Sequence, residues 1–152
     1  MGLDNENFLD GLLLDLYTFE PIGNAVKSTI YEITLAATRT TTNANYVVVD
    51  GTEIVHTFAF PNAIVKYKNM SMVGSAAGTT NDAVPTTASG AFVASARAFM
   101  TGTTPRNLEA MANYEGLNIG DPYEFALVFR ATGGTASITV ASKIIVEILE
   151  WE

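Results

Sequence analysis

The sequence predicts an all-β fold: an antiparallel β-sandwich or jelly-roll-like barrel with one short helix and extended terminal arms. Three observations carry this. From Lys27 onward apolar residues recur with period two, the signature of half-buried strands. Gly, Thr, Pro and Asn break the pattern at short intervals, as loops of a many-stranded domain do. The chain ends in a long run of β-favouring residues, Thr135 to Trp151. At 152 residues and 48% hydrophobic composition it is long enough to bury one core without staples. No internal repeat is present, and the organisation reads as residues 1–25, an N-terminal arm or short helix, followed by a sandwich or barrel domain over residues 26–152.

In the first segment Phe8, Leu9, Leu12, Leu13, Leu16 and Tyr17 fall at helical spacing, limited by Gly11 and the Pro21-Ile22-Gly23-Asn24 break. It is either a terminal helix packed on its own domain or an arm that docks on a neighbouring subunit. Tyr31, Ile33 and Leu35 alternate with Glu32 and Thr34 as the first strand. Asp50-Gly51, flanked by Tyr46-Val47-Val48-Val49 and Thr52-Glu53-Ile54-Val55, predicts a hairpin on a two-residue type I′ turn, pairing Val49 with Thr52 and Val47 with Ile54. The same alternation continues through His56, Phe58 and Phe60 to Pro61. Ile64, Val65, Tyr67, Met70 and Met72 mark the next strand, and the small-residue stretch 74–90 reads as a loop.

Phe92 to Met100 suits either helix or strand, and its strand-like neighbours favour strand. Thr104-Pro105-Arg106 opens the predicted short helix, which stops near Gly116. Tyr123, Phe125, Leu127 and Phe129 share one face of a strand beginning at Asp121-Pro122, and with Phe58 and Phe60 they form the expected core. The final run would span about 55 Å if unbroken, so it either bulges near Ala141-Ser142-Lys143 or leaves the domain to pair elsewhere.

Chemistry is scarce. The chain has no Cys, one His and a formal net charge of −8, and only 16% of its residues are charged, against about 25% in an average domain. Eight scattered basic residues make no patch for phosphate backbones, which argues against nucleic acid and anionic membranes. No apolar run approaches the length of a membrane span, and the acidic start fits neither a signal peptide nor a myristoylation site. Nucleophile–base motifs are missing, so His56 on its apolar strand face reads as a satisfied core or interface residue. Asp4-Asn5-Glu6-Asn7 with Asp10-Gly11 lacks the spacing of a calcium loop. Glu147 and Glu150 fall on opposite faces and make a poor catalytic pair. The expectation is a protein that is no enzyme and has no cofactor and no metal.

A sparsely charged surface is often one that is covered. The expected partner-binding residues are Phe8, Leu12, Leu13, Leu16 and Tyr17 at one end and Ile145, Leu149 and Trp151 at the other. An acidic β-domain with an apolar N-terminal segment and an overlong last strand resembles, in architecture, the decoration (cement) proteins of tailed-phage heads. That resemblance implies a homotrimer bound to a major capsid protein lattice on the capsid exterior of a virion, made in the host cytoplasm. A β-domain of a phage tail, baseplate or fibre is the alternative, and a carbohydrate-binding module, recognisable by exposed coplanar rings, is the next.

Overall fold

The computed structural model describes residues 26–76, 80–87, 92–140 and 143–152. They form twelve strands: β1 (Val26–Thr34), β2 (Arg39–Thr41), β3 (Val47–Val48), β4 (Ile54–Thr57), β5 (Asn62–Gly74), β6 (Thr80–Thr87), β7 (Phe92–Ala96), β8 (Ala98–Thr101), β9 (Arg106–Tyr114), β10 (Pro122–Thr132), β11 (Ala136–Ile138) and β12 (Lys143–Trp151). All pairings are antiparallel, and the strands divide into a seven-stranded and a five-stranded sheet. No helix occurs among the described residues.

In the larger sheet β5 is the spine. One side of it pairs with β9, which pairs in turn with β7. Its other side pairs with β11 through Met72–Gly74 and with β12 through Asn62–Lys68, so β11 and β12 are two stretches of one run along the same edge. β2 and β1 line the outside of that run, with Thr41 opposite Ala136 and Val26 opposite Trp151. In the smaller sheet β10 is central, with β3 and β4 on one side and β6, then β8, on the other. β7 and β8 are separated only by Arg97, so the chain changes sheets there.

The inner faces share one core. Val65, Tyr67, Ile144, Val146 and Ile148 from the larger sheet and Phe125, Leu127 and Phe129 from the smaller are all buried. Edge-on rings join the layers, with Phe125 at 5.3 Å from Tyr114 and 5.7 Å from Phe58. This geometry suits the ring quadrupoles and anchors the centre of the sandwich-like stack. Phe60, expected in this core, is only half-buried because the chain has left β4 and bends there.

Several sequence expectations are corrected. The Asp50-Gly51 turn exists, closed by the Thr52 amide on the Val49 carbonyl at 3.1 Å, but it does not make a hairpin. Among non-glycine described residues only Asn69 has positive φ, so Asp50 is negative and Gly51 is +91°. That is the sign pattern of a type II turn, which splays flanking strands rather than pairing them. β3 and β4 therefore run on in one direction along β10, with the turn as an excursion between them. Its gap is closed by a side chain: the Val49 amide donates to the Leu127 carbonyl at 2.8 Å, and the Leu127 amide donates to Thr52 Oγ1 at 3.0 Å.

The helix expected over 104–116 is strand β9. Ala110, Ala112 and Tyr114 alternate inward, and pairing with β5 and β7 overrides the helix preference of Leu, Glu, Ala and Met. The 74–90 stretch contains β6, and Phe92 to Met100 is extended as favoured. No closed barrel forms: among described residues β1 pairs only with β12 and β8 only with β6. The long C-terminal run breaks between Ile138 and Lys143, and β12 lies inside the sheet between β1 and β5, so it is no extended arm.

Candidate functional site

Two features of the larger sheet stand out, one on its outer face and one beneath it. Paired residues across an antiparallel ladder point to the same side. The registers Val26↔Trp151, Ser28↔Leu149↔Ile64 and Glu32↔Ile145 therefore set Val26, Trp151, Leu149, Ile64 and Ile145 on the outer face, and Ile30, opposite Glu147, lies diagonally between Leu149 and Ile145. Val26 is 55% exposed and Ile30 62% exposed, while Ile64, Ile145, Leu149 and Trp151 are half-buried. The charge on this face is locally neutralised. Lys68 donates to Glu147 at 2.6 Å, Lys66 lies 3.9 Å from the same carboxylate, and Lys143 reaches Glu32 at 2.7 Å. The Lys68 hydrogen bond holds the Glu147 carboxyl below its ordinary range, and the same bond raises Lys68.

Of the residues expected to bind partners, the structure brings Ile145, Leu149 and Trp151 together here. Phe8, Leu12, Leu13, Leu16 and Tyr17 lie outside the described residues. Val26, Ile30 and Ile64 were not anticipated. Their signal was present in the adjacent apolar pairs Ile30-Tyr31 and Ile64-Val65, which place an apolar side chain on each face of a strand.

Beneath this face lies a buried polar chain. Glu150 points inward, is fully buried, and is the end of a line from Tyr31 through His56. Glu150 Oε1 lies 2.8 Å from His56 Nε2, and His56 Nδ1 lies 2.8 Å from the Tyr31 hydroxyl. A carboxylate only accepts, so Nε2 carries the proton it donates and Nδ1 of the neutral ring accepts from Tyr31. Glu150 Oε2 accepts from the amides of Ala59 at 2.6 Å and Phe60 at 3.2 Å, and the Lys27 ammonium lies 3.7 Å from Oε1. Burial pushes the carboxyl up, but the bonds from His56, Ala59 and Phe60 outweigh it and hold it below its ordinary 4.5. The cluster ties β1, β4, β12 and the Ala59–Phe60 bend together.

The arrangement holds the histidine through both ring nitrogens, and the ring is packed edge-on against Tyr31 and Phe58. No group of three potential metal ligands occurs among the described residues. No helix among them is long and apolar enough to cross a membrane. Among the described residues the rings a glycan platform would need are dispersed: Tyr46 is exposed, with the Arg130 guanidinium 4.6 Å from its centroid, Tyr67, Tyr114 and Tyr123 are buried, and Trp151 is half-buried on the opposite sheet from exposed Phe99.

No protein-family model matches the chain, and no curated protein matches it. Among solved structures, the tripod from the baseplate of bacteriophage Tuc2009 is similar over 97% of this chain and 92% of that one, at 15% identity and a TM-score of 0.48. The carbohydrate-binding module CBM36, solved with calcium and xylotriose, is similar over 86% of this chain and 100% of its own, at 19% identity and a TM-score of 0.31. A structure of infectious bursal disease virus, Gt strain, is similar over 83% of this chain and 36% of its own, at 11% identity and a TM-score of 0.26. These overlaps are too loose to carry a fold or a function over to this chain.

Proposed function

We propose that the chain is a non-enzymatic structural domain of a phage virion that assembles into a homo-oligomer, most simply a trimer, through the outer face of its seven-stranded sheet. The observation that supports this reading is the apolar face built by Val26, Ile30, Ile64, Ile145, Leu149 and Trp151, whose nearby charges are paired among themselves. Apolar side chains of neighbouring strands on a solvent-facing sheet are most simply explained by a second surface that covers them. A place in a tail, baseplate or fibre fits such a module at least as well as the cementing of a capsid. Among the described residues the exposed rings are dispersed, which lends the glycan-binding alternative less support than a packed apolar face lends assembly.

The test is the mass of the native protein at micromolar concentration, with and without Val26→Glu and Ile30→Glu. Both positions are more than half exposed, so the double variant is expected to keep its melting temperature and fall from oligomer to monomer. A wild-type chain that is already monomeric overturns the proposal, as does a double variant that stays assembled.

A further inference from the structure

We infer that Tyr31, His56 and Glu150 form an acid-sensitive latch that holds the edge strand β1 onto the domain and releases it before the rest of the fold opens.

Among the described residues β1 has little else to hold it. None of its nine residues is fully buried. Among described residues it is an edge strand whose ladder runs to β12 alone. Its remaining ties are the exposed Lys143–Glu32 pair, worth little in water, and the inward contacts of Tyr31, Ile33 and Lys27. Tyr31 is the side chain that links it to the other sheet, through His56 of β4.

Among the described residues the charged and titratable groups that face the latch are Lys27 and Tyr31 from β1, His56 from β4, Tyr123 from β10 (opposite His56 in the ladder, its hydroxyl accepting from the Asn118 amide) and Glu150 from β12, while the Ala59–Phe60 bend contributes backbone amides. Glu150 is the only anion in this group, and, Tyr123 apart, each of the other contacts is directed, straight or through His56, at its negative charge. Hydrogen bonds to an ionised acceptor are roughly twice as strong as neutral ones. When Glu150 takes up a proton, the His56 Nε2–H and the Lys27 ammonium face a neutral carboxyl in a buried site. The bonds that gather β1, β4 and the bend weaken together.

The direction follows from linkage. The carboxyl is held below its ordinary value in the folded protein, so its stabilisation is complete above pH 4.5 and is lost as pH falls through the lower folded value. β5 and β10 are interior strands, each paired along both edges, and the lowered carboxyl beside β5, Glu147, is held by part-exposed lysines on the outer face, a pairing worth little to stability. Opening should therefore be local, confined to β1, at acidities where the two-sheet core still stands. This inference concerns how β1 is held and does not depend on what covers the outer face.

The experiment is amide hydrogen exchange on the full chain, compared as protection factors between about pH 6.5 and about pH 3. Residues 27–33 should lose protection about tenfold or more across this range, the scale of losing hydrogen bonds to a charged group, while β5 and β10 hold theirs. Glu150→Gln should show the reduced β1 protection already at neutral pH and no acid-dependent drop. Should that variant fail to fold, Tyr31→Phe, which removes one hydroxyl, should lower β1 protection severalfold at neutral pH. The inference is overturned if β1 protection falls only in step with β5 and β10. It is equally overturned if it does not fall, or if Glu150→Gln keeps the acid response or Tyr31→Phe leaves β1 unchanged.

Discussion

Replacing Thr52 by valine isolates the hydroxyl that closes the gap in the β3–β4 ladder. Thr52 is fully buried, and its Oγ1 does two things: it donates to the Val49 carbonyl at 2.6 Å and accepts from the Leu127 amide at 3.0 Å. The Val49 carbonyl keeps a partner without it, because the Thr52 amide also reaches that oxygen at 3.1 Å. The Leu127 amide does not. In a regular antiparallel pair it would donate to Val49, but the turn has drawn that carbonyl away. Valine keeps the shape and leaves a buried N–H unpaired, at a cost of about 1–3 kcal/mol. Thr52→Ser is the complement, since it keeps the oxygen and removes one methyl at about 1 kcal/mol. Hydrogen bonding thus predicts valine worse than serine by about 1 kcal/mol, and packing alone predicts the reverse order. Urea melts of both variants decide it. A valine variant within about 0.5 kcal/mol of wild type, or more stable than the serine variant, refutes the role assigned to the hydroxyl.

Two further substitutions test the frame around it. Phe125→Ala removes a fully buried ring that meets Phe58, Tyr114 and Tyr123, and denaturant melts should show a loss of about 3–5 kcal/mol. Gly51→Ala meets no clash, since an added Cβ would lie 3.6 Å from Leu35 and from Arg39, so its cost should be that of the +91° backbone alone, about 1 kcal/mol in thermal melts.

Strands with strict alternation were legible: Tyr31 and Ile33, Val65 and Tyr67, and the Tyr123-to-Phe129 face all lie where their period places them. β9 was hidden because Leu108, Glu109, Ala110 and Met111 favour helix locally, and only its pairing on both edges decides otherwise. β6 was hidden because Thr, Asn, Asp and Pro read as loop residues. At Asp50-Gly51 the turn was legible but not its consequence: whether strands after a turn pair with each other or with a third strand is settled by a residue far away, here Leu127. The site divides the same way. His56 was correctly read as a satisfied residue on an apolar face, while its partner Glu150 is 94 positions distant and carries no local mark. The outer face was half legible, because Leu149 and Trp151 sit in an obviously two-faced strand, whereas Val26 and Ile64 join them only through register.

The pairing of Val26 with Trp151 also sets how the domain bears load. The chain enters the described fold and leaves it side by side, on neighbouring antiparallel strands. Tension applied across those two points would peel β1 from β12 one rung at a time, the geometry of a zipper. Force spread over the outer face would instead have to shear many rungs at once. A domain of this build is mechanically soft along its own backbone and stiff across its broad face, so in the proposed assembly contacts made on that face would bear load better than the two paired strands through which the chain enters and leaves the described fold.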